Sequence, residues 1–287
     1  MSQFTALHFS LIAGVLVTAL LIGHLLRQRR SPAATLGWII FMVSAPWLAV
    51  PAYLTLGTRK LKSQILPVSQ SVQTDVDTPL ARVLASAGVP PPRGGNDVVW
   101  DPDGPAAWDA LCKVVASSTH TLDVGLFLLH DDTRGRQFMT QLAARAQAGV
   151  RVRLLLDGIG SMQVMQRNLR RLRANGVETA WFIPVLHRPS HGRTNMRNHR
   201  KLVIADGARA WSGGRNVGDE YFAADSVWID LSFTIAGPAV SDLAHLFAAD
   251  WAFATKTPIR METAIAAHVG AQTVQIVPAG PTLARDT

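Results

Sequence analysis

Three polar residues within positions 197–221 have types and a spacing suited to phosphate chemistry: His199, Lys201 and Asn216. The segment 201–205 has high strand propensity, and alternate residues of a strand share one face. The histidine and the lysine are therefore predicted to point the same way. A lysine can hold a phosphate as a point charge while an imidazole attacks phosphorus, and an asparagine amide adds a neutral donor.

Two glycines precede the asparagine and predict a close approach of main chain to a ligand. Gly213 and Gly214 have no Cβ, so a phosphate can lie against the backbone there. Asp206 lies between the lysine and these glycines. The whole pattern fixes five residue types over 18 positions.

The spacing resembles the HKD motif of the phospholipase D superfamily. His199-x-Lys201 is followed after four residues by Asp206, and after six more by Gly213-Gly214-x-Asn216. The Gly-Gly variant followed by NVGDEY is similar to bacterial cardiolipin synthases. Over most of residues 30–280, further stretches resemble that family's membrane segment and first catalytic half: LGWIIFMVSAPWLAVPAYLTLGTRK, AGVRVRLLLDGIGS, WIDLSFTIAGPAV and LFAADW.

The resemblance implies a reaction. In the superfamily one histidine attacks the phosphodiester phosphorus and forms a phosphohistidine, a second histidine protonates the leaving alcohol, and an incoming alcohol displaces the enzyme. Neither a metal nor a cofactor is implied. The resemblance carries these roles to the motif as follows: His199 reacts, Lys201, Gly213, Gly214 and Asn216 hold the phosphate, Asp206 is a structural partner, and Asp230 is the carboxylate set against the histidine.

The chain carries a single HxK motif. Of its nine histidines, only His199 is followed two residues later by lysine. The superfamily active site uses two such motifs, so the chain resembles the front half of a two-half enzyme. A complete site would need a homodimer, a common form of assembly, or a partner chain with the second motif. The alternative is an inactive half.

Two apolar runs without formal charge open the chain, Ser2–Leu26 and Leu36–Leu56. About 20 apolar residues span a bilayer. Residues 1–62 are therefore interpreted as a membrane anchor with one or two helices, at about 4–26 and 36–56. Two prolines kink the second segment or make it re-entrant.

The net charge of +8 is concentrated in this first segment, which has six basic and no acidic residues. The remainder has 22 basic and 20 acidic residues, a net charge of +2. This weak charge does not indicate a general nucleic-acid surface. Basic clusters beside apolar runs are typical of contacts with anionic lipid head groups. The basic residues just before the catalytic part favour the cytoplasmic side of the inner membrane for that part. Arg27, Arg29 and Arg30 compete for the same side, and a full hairpin would place one of the two clusters outside.

Residues 63–95 are interpreted as a linker followed by a loose helical stretch, and residues 96–287 are predicted to form one α/β half-domain. Alternating helices and strands predict a phospholipase D-like mixed sheet flanked by helices. The predicted helices are Ala106–Ser117, Gly135–Ala148 and Gln163–Ala174, and the predicted strands are Thr121–Leu129, Val150–Leu156 and Val177–Ile183.

Several other polar groups have ordinary interpretations. His187 and His191 are interpreted as part of a solvated loop rather than a metal site, and Asp157-Gly158 as a turn that ends a strand. A solvated helix face is favoured over a lipid-headgroup surface for four clustered arginines: Arg167, Arg170, Arg171 and Arg173.

Three functions remain open at the level of sequence. A membrane-bound phosphatidyltransferase that acts on phosphatidylglycerol is favoured by the apolar runs and by the Gly-Gly variant. A phosphodiesterase, either a phospholipase or a nuclease, would use water as the acceptor, although a nuclease would be expected to have a more basic soluble part. An inactive half is favoured by the absence of a second HxK motif.

Overall fold

The computed structural model describes residues 3–28, 30–57, 78–86, 88–162, 164, 166–184, 196–226, 229–259 and 267–280. In these parts of the chain, the helices and strands divide between two compact units. The first unit contains three helices from the apolar N-terminal segment. The second contains every strand together with the remaining helices.

The first unit consists of α1 (Gln3–Leu26), α2 (Pro32–Ser44) and α3 (Pro46–Leu56). The Ser31 hydroxyl accepts a hydrogen bond from the Ala34 N–H and so caps the start of α2, where proline occupies the first turn. A small apolar core joins the three helices. Its buried members are Leu25, Met42, Ala49 and Tyr53.

Within the described residues, no helix combines the length and the apolar character needed to cross a membrane. The predicted spans at 4–26 and 36–56 are therefore not confirmed. The second run is divided at Ala45, because a residue before proline is disfavoured in the helical conformation. The resulting helices have 13 and 11 residues, fewer than the roughly 20 that span a bilayer.

The second unit is built on an eight-stranded mixed sheet, which confirms the predicted architecture. The strand order is β4-β3-β2-β5-β6-β7-β1-β8; β2, β3 and β4 are parallel, and the other neighbours are antiparallel. The elements are α4 (Pro79–Ser86), β1 (Arg93–Asp101), α5 (Gly104–Ser117), β2 (Thr121–Leu126), α6 (Thr133–Gln147), β3 (Arg151–Asp157), α7 (Gln166–Ala174), β4 (Glu178–Phe182), β5 (Leu202–Ala205), β6 (Arg209–Gly213), α8 (Asp219–Phe222), β7 (Ser232–Ala236), α9 (Val240–Thr255) and β8 (Gln272–Val274).

Helices cover both faces of this sheet. Alternate residues of a strand point to opposite faces, so each central strand contributes to two cores. Val203 of β5 packs in the core formed with α5, α6 and α7, whereas Ile204 packs in the core formed with α9. The sheet is therefore the middle layer of three, and the loops at its strand ends remain available for a site.

The boundary of the second unit differs from the predicted linker at 63–95. The strand β1 begins at Arg93, whose guanidinium forms two hydrogen bonds with the buried Asp242 carboxylate, at 2.6 and 2.7 Å. The helix α4 lies within the same range, for which the sequence predicts a loose helical stretch after the linker. Residues 63–77 of that linker lie outside the described residues.

Candidate active site

His199 and Lys201 lie immediately before β5, and both side chains contact the ring of Phe127. The His199 and Phe127 rings are stacked, with centroids 3.8 Å apart and an interplanar angle of 19°. The Lys201 Nζ lies 5.4 Å from the centroid of the same ring and donates a hydrogen bond to the His199 carbonyl oxygen, at 2.9 Å. The predicted common direction of the two side chains is therefore observed, although the strand itself begins one residue later.

Two buried carboxylates position the backbone around the histidine. Asp157, at the end of β3, accepts a hydrogen bond from the Asn198 N–H at 3.0 Å. Asp250, on α9, accepts from the Asn198 side-chain amide at 2.8 Å and from the Arg200 guanidinium at 2.5 Å. These carboxylates are only 1% and 2% exposed. The HxK segment is therefore fixed from a strand and from a helix.

Asp157 does more than end a strand. Its Oδ1 accepts hydrogen bonds from the N–H groups of Ile159 and Gly160, which stabilises the predicted turn. Its Oδ2 holds the motif backbone, and its charge acts on His199. The sequence interpretation of Asp157-Gly158 as a simple turn is therefore incomplete.

Asp230 lies beside Lys201 and Gly214. A Cβ added to Gly214 would overlap the Asp230 Oδ1, and the negative charge of this carboxylate acts on Lys201. Asp230 also accepts a hydrogen bond from the Leu231 N–H at 2.7 Å. Among the contacts of the described residues, none joins Asp230 to His199, the neighbour that the resemblance implies.

The electrostatic environment favours the neutral form of the histidine. Burial lowers the pKa of His199 below the ordinary 6.5, the Lys201 cation lowers it further, and Asp157 partly opposes both. Burial also lowers the pKa of Lys201 below 10.5, against the opposing charge of Asp230. At neutral pH this combination provides an uncharged imidazole, the nucleophilic form, next to a cation that can hold phosphate.

Asn216 lies in the chain segment after β6 and is 8% exposed. Its side-chain amide is hydrogen-bonded to the hydroxyl of Tyr221, and burial raises the pKa of that hydroxyl. The Oδ1 atom of Asn216 is buried and has no hydrogen-bond partner in the described structure. An amide and a hydroxyl can exchange donor and acceptor roles. If the Tyr221 hydroxyl donates to the Asn216 Oδ1, the side-chain N–H groups of Asn216 can donate to a phosphate oxygen.

Asp206 lies at the opposite end of β5 from His199. Its carboxylate accepts four hydrogen bonds at 2.7–2.8 Å, from the N–H groups of Thr119, His120 and Thr121 and from the Thr119 hydroxyl. Burial alone would raise the pKa of Asp206, but these donors outweigh it and the pKa is lowered. This motif residue thus ties β5 to the start of β2, at a distance from the histidine.

Gly213 closes β6 against β7 with a backbone conformation that few other residues adopt. Its φ is +148°, and an added Cβ would overlap the Leu231 carbonyl oxygen. The close approach that the sequence predicts is therefore made to a neighbouring strand.

Within the described part of the chain, no group of three or more His, Cys, Asp and Glu side chains could hold a metal ion. His187 and His191, weighed above as a metal pair, lie outside the described residues. The described site is built from an imidazole, an ammonium group, an amide and three carboxylates, those of Asp157, Asp230 and Asp250. Such a set can bind a phosphodiester and attack its phosphorus.

The positioning residues Phe127, Asp157, Asp250 and Tyr221 are missing from the set deduced from sequence. Phe127 was placed only within a predicted strand, and Asp250 and Tyr221 only within the stretches LFAADW and NVGDEY. The two stretches are similar to the family in sequence, but that similarity does not indicate a role for Asp250 or Tyr221.

Comparison with known proteins agrees with this geometry. A family described as "Cardiolipin synthase, PLD-like domain" matches residues 111–251, a range that includes the whole HxK segment and the strands β5, β6 and β7 that follow it. This part of the chain is therefore similar to a phospholipase D-like domain.

The curated relatives are bacterial cardiolipin synthases. Cardiolipin synthase A of Pseudomonas entomophila (strain L48) is 30% identical over 258 residues, which cover 81% of this chain and 54% of the relative. The cardiolipin synthase of Geobacillus sp. (strain WCH70) is 26% identical over 281 residues, which cover 88% and 56%. The chain thus spans about half the length of the curated relatives it matches.

The similarity to solved structures is weaker. Nuc from Salmonella typhimurium, described as a phospholipase D family member, aligns with a TM-score of 0.42 and 15% sequence identity, over 59% of this chain and 99% of that chain. This similarity is too low to bear on function.

Proposed function

We propose that the chain supplies one half-site of a membrane-associated phosphatidyltransferase of the cardiolipin synthase type. The enzyme would transfer a phosphatidyl group from one phosphatidylglycerol to the hydroxyl of another and release glycerol. One observation carries this proposal: His199, whose pKa is lowered, stacks on Phe127 beside Lys201, within a stretch that matches the cardiolipin synthase PLD-like domain.

The reaction proceeds in two displacements. The neutral imidazole of His199 attacks phosphorus, so that a P–N bond forms while the bond from phosphorus to the glycerol oxygen breaks. Lys201 and the Asn216 amide bind the phosphate oxygens and balance their charge. The hydroxyl of a second phosphatidylglycerol then attacks phosphorus and gives its proton to the group that protonated the glycerol, and the P–N bond breaks.

The first displacement also needs a group that protonates the leaving glycerol oxygen. The leaving glycerol oxygen departs on the side of phosphorus opposite to His199, so one imidazole cannot attack and protonate at once. We assign the donor to a second polypeptide, either another copy of this chain or a partner with its own HxK motif. Two exposed apolar side chains beside Asp230, Ile229 and Leu231, support a covering partner at this edge.

Membrane association is part of the same proposal. Its support is the charge-free composition of Ser2–Leu26 and Leu36–Leu56 and the phospholipid-synthesising relatives. We place the protein at the bacterial inner membrane, with the catalytic part on the cytoplasmic side.

Lipid analysis of a bacterial strain that lacks cardiolipin tests this function. The wild-type chain should restore cardiolipin, His199→Ala should not, and His120→Ala, which removes an exposed histidine at the start of β2, should behave as the wild type. Cardiolipin formed at the wild-type level by His199→Ala would refute the assignment. Phosphatidic acid in place of cardiolipin would indicate water as the acceptor, and no lipid change with the wild type would favour the inactive half.

A further inference from the structure

We propose that the loop at 158–162 and the helix α7 together form a surface that docks the catalytic unit onto an anionic bilayer, next to the candidate site. The inference rests on the proposed function, because a phospholipid substrate resides in a bilayer. It assigns a role to two features that the reaction itself does not use: exposed apolar side chains in a loop and a helix rich in arginine. We call these residues the docking surface.

The loop presents two apolar side chains to solvent. Ile159 is 42% exposed and Met162 is 59% exposed. Between them, Ser161 is fully buried; its hydroxyl donates to the Phe127 carbonyl oxygen at 3.0 Å and accepts from the Leu129 N–H at 3.2 Å. The loop is thus bonded to the residue whose ring stacks on His199. A membrane surface that binds Ile159 and Met162 is therefore connected through Ser161 and Phe127 to the imidazole of His199.

The helix α7 follows the loop and is strongly amphipathic. Leu169 and Leu172 are buried against the sheet, whereas the arginines of the helix are exposed and the helix contains no acidic residue. Only four residues lie between Met162 and Arg167, so their Cα atoms lie within about 18 Å of each other. An apolar edge beside a basic helix is typical of a surface that binds at the head-group boundary of a membrane.

The basic charge extends to the neighbouring helix α6. Between Thr133 and Gly176 the sequence has nine arginines and one acidic residue, the buried Asp157. One of these arginines, Arg153, is buried in an ion pair with Asp123. The basic charge that solvent can reach therefore comes from the arginines of α6 and α7 and from Arg151.

A cavity of about 370 Å³ lies between α6 and α7 and offers a place for one phosphate head group. Arg136 and Arg171 line it, together with Asn168. The Nδ2 of Asn168 is buried and has no hydrogen-bond partner in the described structure. Two cations and an unused amide donor form a suitable set for a phosphate oxygen.

A bilayer fits these observations better than a nucleic acid does. Both partners are anionic, but only a bilayer offers an apolar layer below the phosphates for Ile159 and Met162. Each basic residue close to an anionic membrane surface strengthens binding about fivefold. Loss of two arginines is therefore expected to weaken local docking about 30-fold.

A fluorescent label on the loop tests this surface in the full chain. Ile159→Cys, in a Cys112→Ser background, carries an NBD group, and the protein is reconstituted with phosphatidylcholine vesicles with or without phosphatidylglycerol. Emission should shift to the blue, and lipid-borne doxyl groups should quench it, only when phosphatidylglycerol is present. A label at the exposed Val99 of β1 should not respond. The local readout separates loop docking from any attachment through residues 1–62.

Two double variants that each remove two positive charges test whether the position of the charge matters. Arg170→Gln/Arg171→Gln should weaken loop quenching about 30-fold, whereas Lys113→Gln/Arg209→Gln, exposed on α5 and β6, should leave it unchanged. Equal quenching in neutral and anionic vesicles would overturn the proposal. So would a blue shift caused by duplex DNA or by higher protein concentration without vesicles, which would identify a nucleic acid or a second copy as the partner. None of these readouts needs turnover, so an inactive chain would not obscure the result.

Discussion

The histidine and the lysine of the site are each influenced by a different carboxylate. The charge of Asp157 raises the pKa of His199 against burial and Lys201, whereas the charge of Asp230 raises the pKa of Lys201 against burial. Besides the protonated donor on the second polypeptide, activity by the proposed mechanism needs a neutral attacking imidazole and a protonated lysine. The two limbs of the pH–rate profile should therefore respond to different substitutions.

The acid limb is expected to depend on Asp157. Because this carboxylate favours the protonated imidazole, Asp157→Asn removes that effect and lowers the pKa of His199 further. The acid limb of kcat/KM, already expected below pH 6.5, should move to lower pH. A pH–rate profile with phosphatidylglycerol measures this, and a shift to higher pH would contradict the assigned sign.

The alkaline limb is expected to depend on Asp230. Asp230→Asn removes the charge that favours protonated Lys201, so the lysine should lose its proton at lower pH and the alkaline limb should move down. The same profile gives the measurement, with Asp157→Asn as the matched variant. A change confined to the acid limb would instead pair Asp230 with His199, the arrangement that the resemblance implies.

The sequence identified the reacting groups better than the groups that hold them. The shared direction of His199 and Lys201 follows from strand periodicity alone. The contact of Asp157 with Asn198 joins residues 41 positions apart, and that of Phe127 with His199 depends on β2 lying next to β5. Strand order is a property of the whole sheet, so local patterns could not supply these partners.

At the level of elements, Asp206 connects two strands and should matter for stability. Asp206→Asn preserves a residue that tolerates the observed φ of +52° but weakens four hydrogen bonds. The free energy of unfolding is expected to fall by about 1–3 kcal/mol. Denaturant unfolding of the purified chain measures it, with the exposed Asp109→Asn as the control.

The same substitution should show a pH signature. The pKa of Asp206 is lowered in the folded state, so its contribution is present above the unfolded value of 3.8 and is lost as the pH falls through the folded value. The stability difference between wild type and Asp206→Asn should therefore shrink below pH 3.8. A difference that stays constant into that range would show that charge is not the cause.

The end of β6 should tolerate no side chain. Gly213→Ala introduces a Cβ at a φ of +148° and against the Leu231 carbonyl oxygen, with an expected loss of about 1–3 kcal/mol. Gly207→Ala is the matched control, because its φ is also positive but nothing lies within 4 Å of the added atom. An equal loss in both variants would exclude the strand contact as the cause.

The elements show where sequence patterns succeed. The predicted strands Thr121–Leu129 and Val150–Leu156 correspond to β2 and β3. The start of α6 is reinforced by Asp132, whose carboxylate accepts a hydrogen bond from the Gly135 N–H. The strand β1 was missed, because its Arg93-Gly94-Gly95 start has the composition of a linker. Its membership of the sheet depends on pairing with β7, where Asp97 lies opposite Ala236, 139 positions away.

At the scale of the whole molecule, a site shared by two chains predicts how activity falls when wild type is mixed with an inactive variant. If each complete site needs His199 from two chains, mixing and re-equilibrating equal amounts of wild type and His199→Ala leaves one quarter of the dimers intact. Activity per total protein should then fall to about a quarter of the wild-type value, against half for independent sites. Activity assays on defined mixtures, with His120→Ala as the diluent control, decide between the two.

The pairing of β1 with β8, the first and last strands in chain order, has a mechanical consequence. Arg93 of β1 lies opposite Val274 of β8, so the chain enters and leaves at the same end of one antiparallel pair. A force on the two flanking segments would first load the bond from the Gln275 side-chain amide to the Pro90 carbonyl oxygen, and would then separate the strands from that end, bond by bond. In a single-molecule pulling experiment, the unit should release β8 at low force before the remaining seven strands rupture.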